Sequence, residues 1–134
     1  MRGLTIILLL FSCAAWGKNT HTKVCEPLVY IKGYRGSTVV MAKSELINTN
    51  EIYVKNECEP ELVYKITHFE CSFSANRGES WKSFNIIGNT FTTELKESLK
   101  QVDKGEKKVF FDNITVKFAD GSLKKFNGLS LTIR

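Results

Sequence analysis

The sequence predicts a mainly β fold: an antiparallel β-sandwich of the immunoglobulin-like class with one short α-helix near residues 93–103. Three observations predict it. Short β-branched and aromatic runs recur along the chain, separated by Gly, Asn, Asp and Pro, which is the pattern of strands and turns. Asp120-Gly121 lies between two such runs, a strong short-range hairpin signal. A single stretch carries a helical stripe, with Leu95, Leu99 and Val102 at i, i+4 and i+7.

The N-terminus reads as a leader. Arg2 supplies positive charge, residues 4–11 are apolar apart from Thr5, and the small residues Ser12, Ala14, Ala15 and Gly17 follow. This is the three-part layout of a secretory signal peptide. The apolar run is shorter than the ~20 residues that cross a bilayer. Ala15-Trp16-Gly17 satisfies the small-x-small cleavage rule, so residues 1–17 are assigned to the leader and the mature chain starts at Lys18. A rival reading attaches lipid to Cys13 after Leu10-Phe11-Ser12, although Phe11 fits that motif poorly. The first reading predicts a periplasmic protein; the alternatives are a lipid-anchored envelope protein or an extracellular one. The 117 residues left after removal of 1–17 make one domain by length. They divide into an N-terminal segment with the first strand, 18–32, and a β domain, 33–134. No later stretch reads as a membrane span.

The mature chain has 18 Lys and Arg against 14 Asp and Glu, a balance of +4. Its lysines are scattered and mostly alternate with apolar residues, with Lys107-Lys108 and Lys124-Lys125 the densest pairs. Lysines placed this way protect sheet edges from unwanted pairing. Nucleic-acid binding calls for clustered Arg and Lys with exposed aromatics between them, and only Arg35, Arg77 and Arg134 remain after the leader. No nucleic-acid partner is expected.

Cys25, Cys58 and Cys71 follow the leader, at spacings that match no zinc motif. In an oxidising compartment disulfides form, and an odd number leaves one thiol over. Cys25 and Cys58 share a text: Cys-Glu-Pro followed by Leu-Val-Tyr, with Glu61 inserted in the second copy. They read as two similar strand starts, and Cys25–Cys58 is the expected pair. Cys71 lies inside a strand pattern and reads as a small core residue.

The remaining elements follow in order. Residues 28–32 make a short strand, broken by 33–37 with Gly36-Ser37 as its turn. Residues 38–41 form a second strand, and 42–48 one helical turn. Residues 51–55 form a third strand with Ile52 and Val54 on one face. Residues 62–73 form the longest strand pattern: Leu62, Tyr64 and Ile66 share a face, then Phe69, Cys71 and Phe73 continue on the opposite parity. One core can receive both sets only across an extra residue, which predicts a β-bulge near Thr67-His68; the alternative is a strand that switches sheets. Residues 75–80 form a loop, and Trp81, Phe84, Ile86 and Ile87 a strand. Thr92 or Thr93 caps the helix, and Gly105 stops it. Residues 108–118 form a strand whose parity slips between Phe111 and Ile114. The Asp120-Gly121 hairpin, a return strand to Phe126, a kink at Asn127-Gly128 and a last strand with Leu129, Leu131 and Ile133 complete the chain.

The chemistry-bearing residues do not assemble. His21 lies near the mature start and His68 at the expected bulge, too few ligands for a metal site. Asp103, Asp112 and Asp120 sit at turn signals, where Asp serves its own backbone. Cys71 and His68, three apart on a strand, face opposite sides. Asn113-Ile114-Thr115 matches a glycan acceptor motif within a strand pattern. No nucleophile elbow, phosphate loop or HExxH occurs. No enzyme activity, cofactor, metal or catalytic residue is expected.

Taken together, Gly33-x-x-Gly36, the segment 43–46, Phe69-x-x-x-Phe73, Gly88-Asn89-x-Phe91-Thr92, Lys104-Gly105-Glu106-Lys107, Phe111-x-Asn113-Ile114 and Asp120-Gly121 resemble the C-terminal domain of the gliding-motility protein GldM and its type IX secretion relatives. The resemblance spans about residues 33–134. It implies an all-β tip domain that contacts other cell-envelope proteins of a motility or export machine. The chain departs from the family in having no retained membrane helix and no room for the shaft domains, which suggests a stand-alone relative. The expected role is a non-enzymatic interaction module, with the aromatics Tyr34 and Trp81 as candidate contacts. Trp81 also has a plain reading as a core residue. The alternative role is a small periplasmic ligand binder with its pocket between two sheets.

Overall fold

A computed structural model describes residues 25–102 and 107–134. The expected leader, Cys13, His21, Asp103 and the expected helix stop at Gly105 lie outside the described residues. The elements run β1 (Leu28–Ile31), β2 (Tyr34–Arg35), β3 (Thr38–Met41), α1 (Lys43–Ile47), β4 (Ile52–Lys55), β5 (Lys65–Ala75), β6 (Ser80–Ile87), α2 (Thr93–Leu99), β7 (Lys107–Lys117), β8 (Leu123–Phe126) and β9 (Leu129–Ile133). Strands dominate, and they form two sheets. A small one has the order β2-β1-β4; a large one has the order β3-β9-β7-β5-β6, with β8 also paired to β7.

The small sheet lies over one face of the large one. Val29, Ile31 and Ile52 from the small sheet join Phe69, Phe73, Phe111, Leu131 and others from the large one in a single buried cluster. The helix α2 adds Leu95 and Leu99, and α1 adds Leu46. Phe69, Phe91 and Phe111 contact one another with ring centroids 5.7–6.0 Å apart. The sheets are stitched at one corner. Past β6, the Phe91 N–H donates to the Asn50 carbonyl at 2.7 Å, and the Ile52 N–H donates to Asn89 at 3.1 Å. The chain thus leaves the large sheet and pairs beside β4, as strands do at sandwich corners.

The parity slips resolve into two bulges of opposite sense. Between Ile66↔Val116 and His68↔Thr115 the extra residue is on β5; between His68↔Thr115 and Glu70↔Asp112 it is on β7. Each slip keeps its strand's apolar side chains on the core face, and together they restore the register. The Thr67 hydroxyl donates to the Thr115 carbonyl across the site. Asn113 takes φ 50°, a left-handed conformation that Asn tolerates better than most residues.

Other boundaries differ from expectation. Pairing is not wholly antiparallel, because β3 runs parallel to β9. Tyr34 and Arg35 return against β1 as a two-residue strand, Ile31↔Tyr34 and Tyr30↔Arg35. The connecting Lys32 and Gly33 both have positive φ, the mark of a tight type I′ turn. The long fifth strand starts at Lys65, so Leu62 is not part of it. A second helix, α1, occupies the expected single turn, and the Glu45 carboxylate accepts from the Ala42 N–H at its start. The main helix ends at Leu99; the Thr92 hydroxyl accepts from the Leu95 N–H at 3.2 Å and so satisfies a free donor of its first turn.

Candidate protein-interaction surface

Several apolar side chains are exposed or half-buried at the end of the β7–β8 hairpin. Phe118, Ala119, Asp120, Gly121 and Ser122 form the turn. The Gly121 N–H donates to Phe118, and the Phe118 N–H to Ser122, both at 2.9 Å. Only Gly121 has positive φ there, at 86°, so the loop is a three-residue turn closed by glycine and not the two-residue type. The Asp120 carboxylate accepts from both the hydroxyl and the N–H of Ser122. Those two bonds hold its pKa below the usual carboxylate range.

This turn places Phe118 against Phe126, with ring centroids 6.2 Å apart, and Tyr64 edge-on to Phe118 at 5.4 Å. The three rings are half-buried. Beside them Val63 is 79% exposed, and Leu123, on the opposite face of β8, is 63% exposed. Leu62, Val63, Tyr64, Phe118, Ala119 and Asp120 line a hollow of about 240 Å³. Phe126 continues this surface into a groove of about 500 Å³ between β8 and the start of β1, lined also by Lys124, Glu26 and Leu28. Gly128 shapes the groove, because a Cβ there would run into the Asp112 carboxylate and the Phe111 carbonyl.

Lysines gather at the same end, on the opposite face of the sheet from the rings. Lys65 and Lys117 are directly opposed on β5 and β7, and Lys125 is paired two positions further along, with Thr115. All three are exposed. Like charges placed opposite one another destabilise a sheet. The lysines read as scattered in sequence because β5, β7 and β8 bring them together only in the fold.

The remaining candidates sit elsewhere. Cys25 and Cys58 are joined by a disulfide. Cys71 is buried; burial, with the Asp112 carboxylate adding, pushes its thiol pKa far up, which suits a core residue and not a nucleophile. His68 is half-buried on the opposite face of β5. Tyr34 is 41% exposed, its hydroxyl reaching Glu45 at 3.4 Å. Trp81 is not core: it is 62% exposed, on the open face of the large sheet, its ring 6.2 Å from Phe110. Its neighbours Phe84 and Ile86 face the other way, which alternation along β6 requires. The two aromatics lie on different sheets and make no joint surface with the hairpin end. Tyr64 and Phe118 read in sequence only as strand residues, because nothing local shows that their core-side rings would stay half-exposed.

The Tyr30 hydroxyl donates to Glu57 at 3.0 Å, and Arg35 bridges to Glu57 at 2.7 Å. Burial raises the Tyr30 pKa, with Arg35 acting against it. Tyr30 stacks on Tyr53 at 5.5 Å. This cluster fastens β2 to the small sheet beside the disulfide. Among the described residues no group of acids, His and Cys is placed to hold a metal, and no helix is long and apolar enough to cross a membrane. No protein-family model and no curated protein matches the chain.

Proposed function

We propose that this chain is a non-enzymatic, exported module of the cell envelope that acts by docking other proteins, in a setting related to gliding motility or type IX export. The observation that carries the docking role is the hairpin end, which exposes apolar groups on both faces: half-buried Tyr64, Phe118 and Phe126 with exposed Val63 around the hollow, and exposed Leu123 beside Lys65, Lys117 and Lys125 on the other face. Exposed apolar patches rimmed by polar residues mark interaction sites. The lysine cluster around Leu123 favours a partner with an acidic surface and steers its approach. The envelope setting rests on the leader pattern and on the resemblance of residues 33–134 to the GldM C-terminal domain.

The alternative is a small-ligand binder. The space between the sheets is occupied by the core cluster, so such a ligand would use the groove between β8 and β1.

The test is crosslinking and affinity purification of the tagged mature chain from its native host, beside a Val63→Asp/Leu123→Asp variant. Both positions are exposed, so the variant folds. Ring or shaft proteins of the motility machine should be captured by the parent chain, lost with the variant, and held more weakly as salt rises. Equal capture by both chains would remove the hairpin end from the reading; a bound small molecule and no protein would favour the groove.

A further inference from the structure

We propose that β6 is a homodimer edge: two copies of this chain pair their β6 strands antiparallel and continue the large sheet across a two-fold axis. β6 ends the strand order, and among the described residues nothing pairs with its outer edge. Natural edge strands are blunted by bulges, prolines, inward charges or brevity. On β6 the one such device is Lys82, which lies on the same face as Phe84 and Ile86 and whose ammonium is engaged within the chain. The strand runs Ser80–Ile87 without proline, and its register with β5 is unbroken over all eight pairs. Its one charged residue, Lys82, donates to Gln101 at 2.7 Å.

The hydrogen-bonding phase is set by the residue after the strand. The Gly88 N–H donates to the Thr67 carbonyl at 2.8 Å. Along an antiparallel pair the bonds alternate, so even-numbered residues of β6 turn their backbone groups to β5. Trp81, Ser83, Asn85 and Ile87 then turn theirs to the free edge. Their side chains share the open face of the sheet, where Ile87 is 90% exposed.

These four positions are self-complementary. With Phe84 on the two-fold axis, Trp81 meets Ile87 of the second copy and Ser83 meets Asn85, each pair twice. Every pair joins residues of the same parity, so both members offer free backbone groups. The two large exposed apolar side chains of β6 cover each other, and aromatic–β-branched cross-strand pairs are favourable. Lys82 falls opposite Ile86, so no like charges are opposed. The symmetric interface closes at two copies, as an isologous contact must.

The test is analytical ultracentrifugation of the mature chain across a dilution series. The parent chain should show a concentration-dependent dimer. Asn85→Pro removes a donor that faces away from β5 and is tolerated at an edge; it should weaken the dimer at least ~tenfold, equivalent to ~1.4 kcal/mol, with the thermal midpoint of the monomer nearly unchanged. Should that variant fail to fold, Ile87→Lys provides the same comparison. Register is read by oxidation: chains carrying Ser83→Cys mixed with chains carrying Asn85→Cys should crosslink, and Ser83→Cys alone should not. A monomer at every concentration would overturn the proposal, even if β6 takes a strand from another protein. So would a dimer indifferent to Asn85→Pro and Ile87→Lys, or crosslinking of Ser83→Cys with itself.

Discussion

Two stretches of this chain begin alike and end differently. Leu28, Val29 and Tyr30 follow Cys25-Glu-Pro; Leu62, Val63 and Tyr64 follow Cys58-Glu-Pro with one inserted Glu. A disulfide ties their starts together. The first copy is a strand, paired on both sides, and Val29 and Ile31 are buried. The second precedes β5 as an irregular segment with Leu62 and Val63 exposed. The fourth letter separates them. After Leu-Val-Tyr the first copy has Ile31 and the second has Lys65, so the core-facing pair Val29/Ile31 becomes Val63/Lys65. A strand's buried face is a period-two property, and one lysine at that period is enough to turn the face outward. The second copy reaches the core only through the other parity, at Tyr64 and Ile66.

Exchanging the fourth letters tests this most severely. Ile31→Lys gives the first copy the text of the second. It places an ammonium at a fully buried position, and unpaired buried charge is one of the few changes that exceed ~4 kcal/mol. The variant should lose its cooperative denaturation transition. Lys65→Ile puts an apolar residue at an exposed edge of β5 and should move stability by no more than ~0.5 kcal/mol. If the two changes cost the same, something other than face parity separates the copies.

The link between the copies comes next. Cys25 and Cys58 are separated by 33 residues, and a loop of that length corresponds to ~3–4 kcal/mol in the chain-entropy account. A Cys25→Ser/Cys58→Ser chain should lose about that much in denaturant titration. Hydrogen exchange should quicken first in β1 and around Cys58, because the strand that gains order from the tether is the first copy. A loss spread evenly over the large sheet would show that the tether acts on the whole domain.

What was legible beforehand follows the same division. Features written in neighbouring residues could be read: the slips at Thr67-His68 and between Phe111 and Ile114, the Asp120-Gly121 turn, the Leu95–Leu99–Val102 stripe, and the shared text that pairs Cys25 with Cys58. Features that depend on a distant strand could not. Tyr34-Arg35 is a strand only because β1 lies beside it, β3 is parallel because β9 arrives from the far end of the chain, and Trp81 is exposed because no layer among the described residues covers the outer face of the large sheet. The lysine cluster at the hairpin end belongs to this second kind, since Lys65, Lys117 and Lys125 come from three strands. The bulge illustrates how the two kinds meet. Its location was local information, but that a second bulge on β7 cancels it was not.

The shared tyrosines give a smaller contrast. Tyr30 is buried and donates to the Glu57 carboxylate, whereas Tyr64 makes its contact through the ring, against Phe118. Tyr30→Phe should cost ~1 kcal/mol, the usual net value of such a hydrogen bond when its acceptor is partly solvated. Tyr64→Phe keeps the ring contact and should be close to neutral in thermal melts. A larger loss at Tyr64 would mean that the second copy is held more tightly than its exposure suggests.

The smallest effect concerns the turn beside the second copy. Asp120 borders the hollow lined by Leu62 and Val63, and the Ser122 hydroxyl and N–H lower its pKa. A carboxylate whose folded pKa is depressed stabilises the fold above its unfolded value, about 4 for Asp. That contribution disappears as pH falls through the folded value, where both states are protonated. Ser122→Ala removes the larger of the two causes, so the Asp120 pKa should rise toward the ordinary range in a carbon-detected NMR titration. The slope of stability against pH just below 4 should flatten, with no change near neutrality in its dependence on pH. Amides of β1 should not sense the titration at all, because the first copy is anchored in the small sheet through Tyr30, Glu57 and Arg35. Chemical shifts in β1 that follow the Asp120 curve would show instead that the hairpin end and the small sheet are coupled through the groove they share.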